Sequence, residues 1–181
     1  MNITLTRSLL VILLPGAMFL MPWGLFILIS YPDCLKAYEL YKYEYVAVLF
    51  GLSVFTGMLL EGLGASIEVH WDRTRETKYD IDKNWYAYLA AQYETEIVGY
   101  KYITSRVTTM YFELGMMWVA MSAAISSWFL LYKFNSECFV FNAIVMTTLC
   151  FFAMIYFYRM AYSSHKVLCK ARQKINSLNG R

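Results

Sequence analysis

A chain of 181 residues has the length of one ordinary domain, yet 59% of its residues are apolar and its mean hydropathy is +0.42. That excludes an ordinary soluble domain. The net charge of +3 rests on 16 basic residues gathered between apolar blocks, which speaks of sidedness across a membrane and not of a nucleic-acid surface.

Four blocks stand out: Leu9 to Tyr31, Tyr45 to Ile67, Phe112 to Tyr132 and Phe139 to Tyr158. Each is close to the roughly 20 residues a helix needs to cross a hydrocarbon core of about 30 Å. None alternates polar and apolar residues as a barrel strand does, so helices are the expected spanning elements. The expected fold is all-α, a polytopic membrane protein with four transmembrane helices and a helical cytoplasmic insertion between the second and third. It divides into a first transmembrane hairpin (1–67), the insertion (68–109), a second hairpin (110–158) and a basic tail (159–181).

The first block follows one basic residue, Arg7, as a secretory signal would. Its apolar core exceeds a signal's usual length of about 7–15 residues and no A-x-A-like site follows, so it is read as a retained span. Pro15-Gly16 and Pro22 within it predict a kinked or broken helix, because each proline removes a backbone hydrogen bond. Next comes KAYELYKYEY, with Tyr38, Tyr41 and Tyr45 at helical spacing. This predicts a short interfacial helix held at headgroup depth by its rings.

In the second block Gly51, Gly57 and Gly64 are read as one small-residue face with a period of about seven residues, and Glu61 and Glu68 extend the Gly57–Gly64 face at i+4 steps. The helix has no breaker through Ile67 to Trp71 and should continue past the apolar stretch. KYDIDK reads as a turn, with Asp82 or Asn84 capping a helix from Trp85 to Ile97. Trp85, Tyr86, Leu89 and Tyr93 give that helix an aromatic face which, with Trp71, is a candidate partner-binding surface. Gly99 is expected to end it. The third block carries Ala120, Ala123, Ala124 and Ser127, with Ser122 and Ser126 beside them, small residues of the kind that let helices approach in lipid. Lys133 to Cys138 is a short turn, so the last two spans form a hairpin. The fourth block is rich in Phe and Tyr and leaves through Arg159. Beyond it Lys166, Lys170 and Lys174 stack at i, i+4 and i+8, suited to anionic lipid headgroups at about 1 kcal/mol per charge.

With both termini inside, thirteen Lys and Arg fall on the inner side and three on the outer. The positive-inside rule therefore places both termini in the cytoplasm. Cys34 and Cys138 then share the outer side and could pair in an oxidising compartment; two free thiols are the alternative. Cys150 and Cys169 are read as lacking a C-x-x-C or Cys/His partner, so neither a metal nor a cofactor is expected.

Ionisable residues within spans are costly, and are therefore paired or functional. Glu61 and Glu113 sit at matching depths near the inner ends of their blocks, with Arg159 ending the fourth block at that same level and Arg106 about two turns below Glu113 on roughly the same face. Two readings stay open: an ion-pair network that pins the helices together, or carboxylates that line a cation-favouring pore. His70 lacks a ligand partner and reads as a surface residue. Arg159 and His165 fit an R-x(4–6)-H pattern used for acid–base RNA cleavage. Six positions apart, however, their side chains diverge by about 120° around a straight helix. No nucleotide-binding or common hydrolase motif occurs.

The segments LLEGLGASIEVHWDR, NWYAYLA and VGYKYITSRVTTMYFELGM resemble small bacterial inner-membrane proteins of mostly unknown function. With the chain's size, membrane character and Arg159-x5-His165, the sequence is also similar to the small membrane accessory protein of type VI-B CRISPR systems, a HEPN-like family. That resemblance implies a homo-oligomeric pore in the inner membrane that depolarises the cell in antiviral defence. Of the family's functional residues only Arg159 and His165 find a match. The expected function is accordingly an oligomeric inner-membrane pore and not an enzyme. The alternatives are a membrane-tethered HEPN-like RNase using Arg159 and His165, and a scaffold that recruits a cytoplasmic protein; nucleic acid is not an expected partner.

Overall fold

The computed structural model describes residues 7–81, 83, 85, 98–134 and 138–179. All its regular elements are helices: α1 (Leu14–Ser30), α2 (Pro32–Leu40), α3 (Lys42–Tyr79), α4 (Val98–Lys133) and α5 (Phe139–Asn179), with a π-helical turn over Leu9–Leu13 leading into α1. Four helical stretches are long and apolar enough to cross a membrane: Leu9–Ser30 and those within α3, α4 and α5.

The two prolines of the first span act differently. Pro15 lies in the first turn of α1, where a missing N–H costs little. The chain before it winds wide, with the Leu14 N–H bonding back to the Leu9 carbonyl. Pro22 lies inside α1, which continues through it without a break. The irregularity expected along the whole span is thus confined to its first turn. The short helix expected here is α2, Pro32–Leu40; a bend at Tyr41 separates it from α3, so Tyr45 already belongs to the long apolar helix and meets Tyr38 edge-on at 6.0 Å.

Helix α3 runs for 38 residues, about 57 Å and far longer than a hydrocarbon core is thick. It ends where Asp80 turns left-handed (φ 45°), a conformation a short polar side chain tolerates. Helices α4 and α5, of 36 and 41 residues, pass their apolar stretches at the same end of the bundle. Gly99 lies in the first turn of α4. The expected cap at Asp82 or Asn84 and most of the Trp85–Ile97 helix, including Tyr86, Leu89 and Tyr93, lie outside the described residues.

Helix α1 packs between α3 and α4, and α4 packs along α5, whereas the backbones of α3 and α5 come close at few points and are joined by long side chains beyond the apolar stretches. Across their apolar windows 44% of α4 is buried against 11–17% for the other spans, so α4 is the helix the others gather round. Contact with α1 is backbone on backbone. A Cβ on Gly16 would fall 1.9 Å from the Ser53 carbonyl oxygen, and one on Gly57 would fall 1.9 Å from that of Ile12. Only glycine permits this approach. Gly64 faces Leu114 and Tyr111 of α4, whereas Gly51 meets open space. Six residues separate Gly51 from Gly57, which turns it about 120° off the packed face. The small face of α4 also packs on α1: the Trp23 indole donates to Ser122 Oγ at 2.8 Å, and Ser122 donates to the Phe19 carbonyl at 3.1 Å. The best-buried cluster, Trp71, Met110, Leu114 and Ala161, lies where the three long helices leave their apolar stretches.

Candidate functional site at the extended end of the bundle

Beyond the apolar stretches, α3 presents Glu68, Trp71, Asp72, Arg75 and Tyr79 at three- and four-residue steps. Helix α5 answers with Tyr158, Ala161, Tyr162, His165, Leu168, Cys169 and Arg172 at the same steps. Each series is one face of its helix, and the two faces meet.

His165 is at the centre, fully buried. Arg75 of α3, itself buried, lies 2.6 Å from His165 Nδ1, and Asp72 Oδ1 lies 2.7 Å from Nε2. A guanidinium can only donate, so Nδ1 must accept; the ring proton then sits on Nε2 and is donated to Asp72. The result is a chain of alternating donors and acceptors in which Arg75 and Asp72 balance each other through a neutral imidazole. Trp71 closes one side, with ring contacts to Tyr158, Tyr162 and His165 and an indole bond to the Tyr158 hydroxyl at 3.3 Å. The Arg75 guanidinium also lies 3.9 Å over the Tyr162 ring. Such a buried network is costly when partly satisfied and rigid when complete.

Cys169, one turn on from His165, places its sulfur 3.9 and 3.8 Å from the two ring nitrogens, nearly equidistant, with no single in-line hydrogen bond. It lies eleven residues past the apolar block, and burial, reinforced by the Asp72 charge, pushes its thiol up to about 11. A thiol so placed is not an activated nucleophile. Asp72, His165 and Cys169 bring three metal-ligating atoms within 4.8 Å of one another. The donor types suit zinc, but the hydrogen bonds do not. A metal on Nε2 would displace the only ring proton while Arg75 holds Nδ1 as an acceptor, and Arg75 and Arg172 are positively charged neighbours. The trio fits a hydrogen-bonded network better than a metal centre.

The candidate charges within the spans meet the suggested partners only in part: Arg106 acts on Glu113 through its charge, without a direct ion pair among the described residues, whereas Glu61 meets Arg7. Glu61 pairs with Arg7 at 3.3 Å, the side chains 28% and 43% exposed. Glu113 is buried and accepts from Ser164 at 3.0 Å. Arg106 donates to the Tyr102 hydroxyl at 3.2 Å and lies over that ring. Arg159 is exposed. It does not join His165, whose guanidinium neighbour comes from α3. Glu68 accepts from the Tyr111 hydroxyl. Trp71, expected on a partner-binding face, is 2% exposed within the bundle because α5 aromatics cover it. Trp85 is 37% exposed, with the Arg172 guanidinium 4.4 Å over its ring. His70, Lys166, Lys170 and Lys174 are exposed. The four cysteines are unpaired.

Beside the network opens a cavity of about 400 Å3 whose wall includes Arg7, Glu68, Asp72, Trp85, Tyr111 and Arg172. Sequence reasoning passed over Asp72, Arg75, Cys169 and Arg172. The signal available was the i, i+3, i+4 and i+7 recurrence of polar residues on both helices beyond their apolar stretches. No protein-family model, curated protein or solved structure matches this chain.

Proposed function

We propose that the protein is a multi-pass protein of the bacterial inner membrane, both termini cytoplasmic, which assembles with copies of itself into a pore that permeabilises that membrane. The resemblance carried by Arg159-x5-His165 adds a role as an accessory of antiviral defence. The supporting observation is the Arg7–Glu61 pair. It lies beside the ends of two apolar stretches, with 43% and 28% of its side chains uncovered in a single chain. Charges left uncovered at the edge of a hydrocarbon core are costly unless water or protein meets them. A water-filled path between subunits supplies both. The poor coverage of α5, which packs chiefly on α4, leaves an aromatic face available to a neighbouring copy.

The nuclease reading is weaker. His165 is sealed between Asp72 and Arg75, with no ring nitrogen free to take a proton from a substrate. Arg159 points elsewhere. Recruitment of a cytoplasmic partner through the 85–93 face remains an outcome to be tested. Purified protein in liposomes should pass monovalent cations, and in mild detergent it should run as an oligomer. Glu61→Gln should change the ion preference while leaving oligomer size intact. A monomer with no flux overturns the pore, and RNA cleavage lost in His165→Ala would put the nuclease in its place.

A further inference from the structure

Glu113 fills a place in α4 that its pattern reserves for an apolar residue. Ile103, Met110 and Met117 recur every seven residues, Ala120 stands seven on from Glu113, and all four are buried. Seven residues make nearly two turns, so these side chains form one seam, and Glu113 lies in it 7% exposed. Opposite, α5 sets the small Ala161 and Ser164, which leave room for the longer side chain.

The carboxyl has few partners. Oε2 accepts from the Ser164 hydroxyl at 3.0 Å; among the described residues Oε1 accepts no hydrogen bond and neither oxygen makes an ion pair. The charged and titratable groups around α4 are turned elsewhere. Arg106 acts on Glu113 by charge alone, from seven residues back, about 10 Å along the axis, where it lies over the Tyr102 ring. From α3, Glu61 holds Arg7 and Glu68 holds Tyr111, which stands about 200° round α4 from Glu113. On α5, Tyr158, Tyr162, His165 and Cys169 face Trp71, Asp72 and Arg75 of α3, while Arg159 and Lys166 are exposed. The first span, residues 9–30, has no ionisable side chain.

A carboxylate taken out of water costs far more than one neutral hydrogen bond returns, and the outcome of that cost is neutralisation of the group. One guanidinium about a Debye length away offsets little of it. We propose that Glu113 is a proton-binding site, a carboxylic acid at neutral pH with its proton on Oε1 and Ser164 on Oε2, whose neutrality lets α4 and α5 close. Loss of the proton puts a charge into the seam, so the two helices loosen as pH rises. An acid that is neutral when folded and ionised when unfolded binds more protons in the folded state, and its stabilisation is lost as pH climbs past the ordinary glutamate range. This coupling holds whether or not copies of the chain form a pore.

The test treats the full chain in nanodiscs, over a series of pH values, with dicyclohexylcarbodiimide. This lipid-soluble reagent adds to a protonated carboxyl: the acid proton goes to nitrogen, and the acyl group ends on the other nitrogen as an N-acylurea that keeps every atom of both reactants. Peptide mapping should find the adduct at Glu113 at neutral pH, about tenfold or more above the paired Glu61, and falling about tenfold per pH unit beyond its midpoint. A water-soluble carbodiimide should reverse the preference. Glu113→Gln keeps the shape without the titration. It should lose the infrared carbonyl band of a carboxylic acid and flatten the fall in melting temperature from mildly acid to alkaline pH; if it does not fold, the adduct and band of the wild type decide. A wild type with neither adduct nor acid band at neutral pH overturns the proposal, as does a melting temperature with the same pH dependence in both proteins.

Discussion

The Asp72–His165–Arg75 chain ties α3 to α5 through groups that are costly to leave unpartnered. Removing the imidazole in His165→Ala leaves the Arg75 donor without its acceptor and opens a cavity beside Trp71. The expected loss is about 2–4 kcal/mol of stability, read as a lower melting temperature in detergent; His165→Asn, keeping one polar contact, should lose less. Cys169 gives a second check at this scale. Its thiol, pushed up to about 11 by burial, holds at pH 8 only about one part in a thousand as thiolate, against roughly a quarter for an ordinary thiol. Alkylation followed by mass spectrometry should therefore rise about tenfold per pH unit toward pH 11 at Cys169 while the exposed Cys138 reacts early. The sequence yields the faces on which these residues sit, because spacing alone sets a helical face. It does not yield their partners. Whether Glu61 meets Arg159 or Arg7 depends on the rotation of one helix against another, which no local pattern encodes.

The elements follow from the chain more directly. Four apolar blocks of spanning length become four helices, and the absence of a breaker between Ile67 and Trp71 lets α3 run on to Asp80. Proline content misleads for a physical reason: Pro22 forfeits one backbone bond, and its neighbours in α1 still complete the helix around it. Glycine spacing is informative only in part, since seven residues return a helix nearly to the same face and six do not. The two classes of glycine predict opposite results. Gly57→Ala drives a Cβ into the Ile12 carbonyl and should cost about 2–4 kcal/mol. Gly51→Ala and Gly62→Ala meet open space and should each gain about 0.5–1 kcal/mol. Thermal unfolding of the three variants in one detergent separates these outcomes.

For the whole molecule, four helices long enough to span, each crossing once, would put both chain ends on one side and the α1–α3 and α4–α5 connections on the other. Basic-residue counts choose which side is which. A membrane-impermeant maleimide applied to intact cells should label Cys138 and, more slowly, the half-buried Cys34, and leave Cys169 unmodified. Labelling of Cys169 before Cys138 would invert the orientation. The number of spans is legible because lipid demands about 20 apolar residues of any helix that crosses it. What lies past the membrane is less legible, since there the helices obey packing and not bilayer thickness.

The wide turn ahead of Pro15 has a geometric effect on everything upstream of it. Wound as plain α-helix, Leu9–Leu13 would swing Arg7 by roughly 100° about the axis relative to α1 and carry it off Glu61. The slack of one residue therefore decides where the guanidinium lands. Excising Leu10 would consume that slack and let an ordinary helix hold Arg7 against Glu61, whereas a deletion inside α1 would rotate Arg7 and Gly16 out of register together.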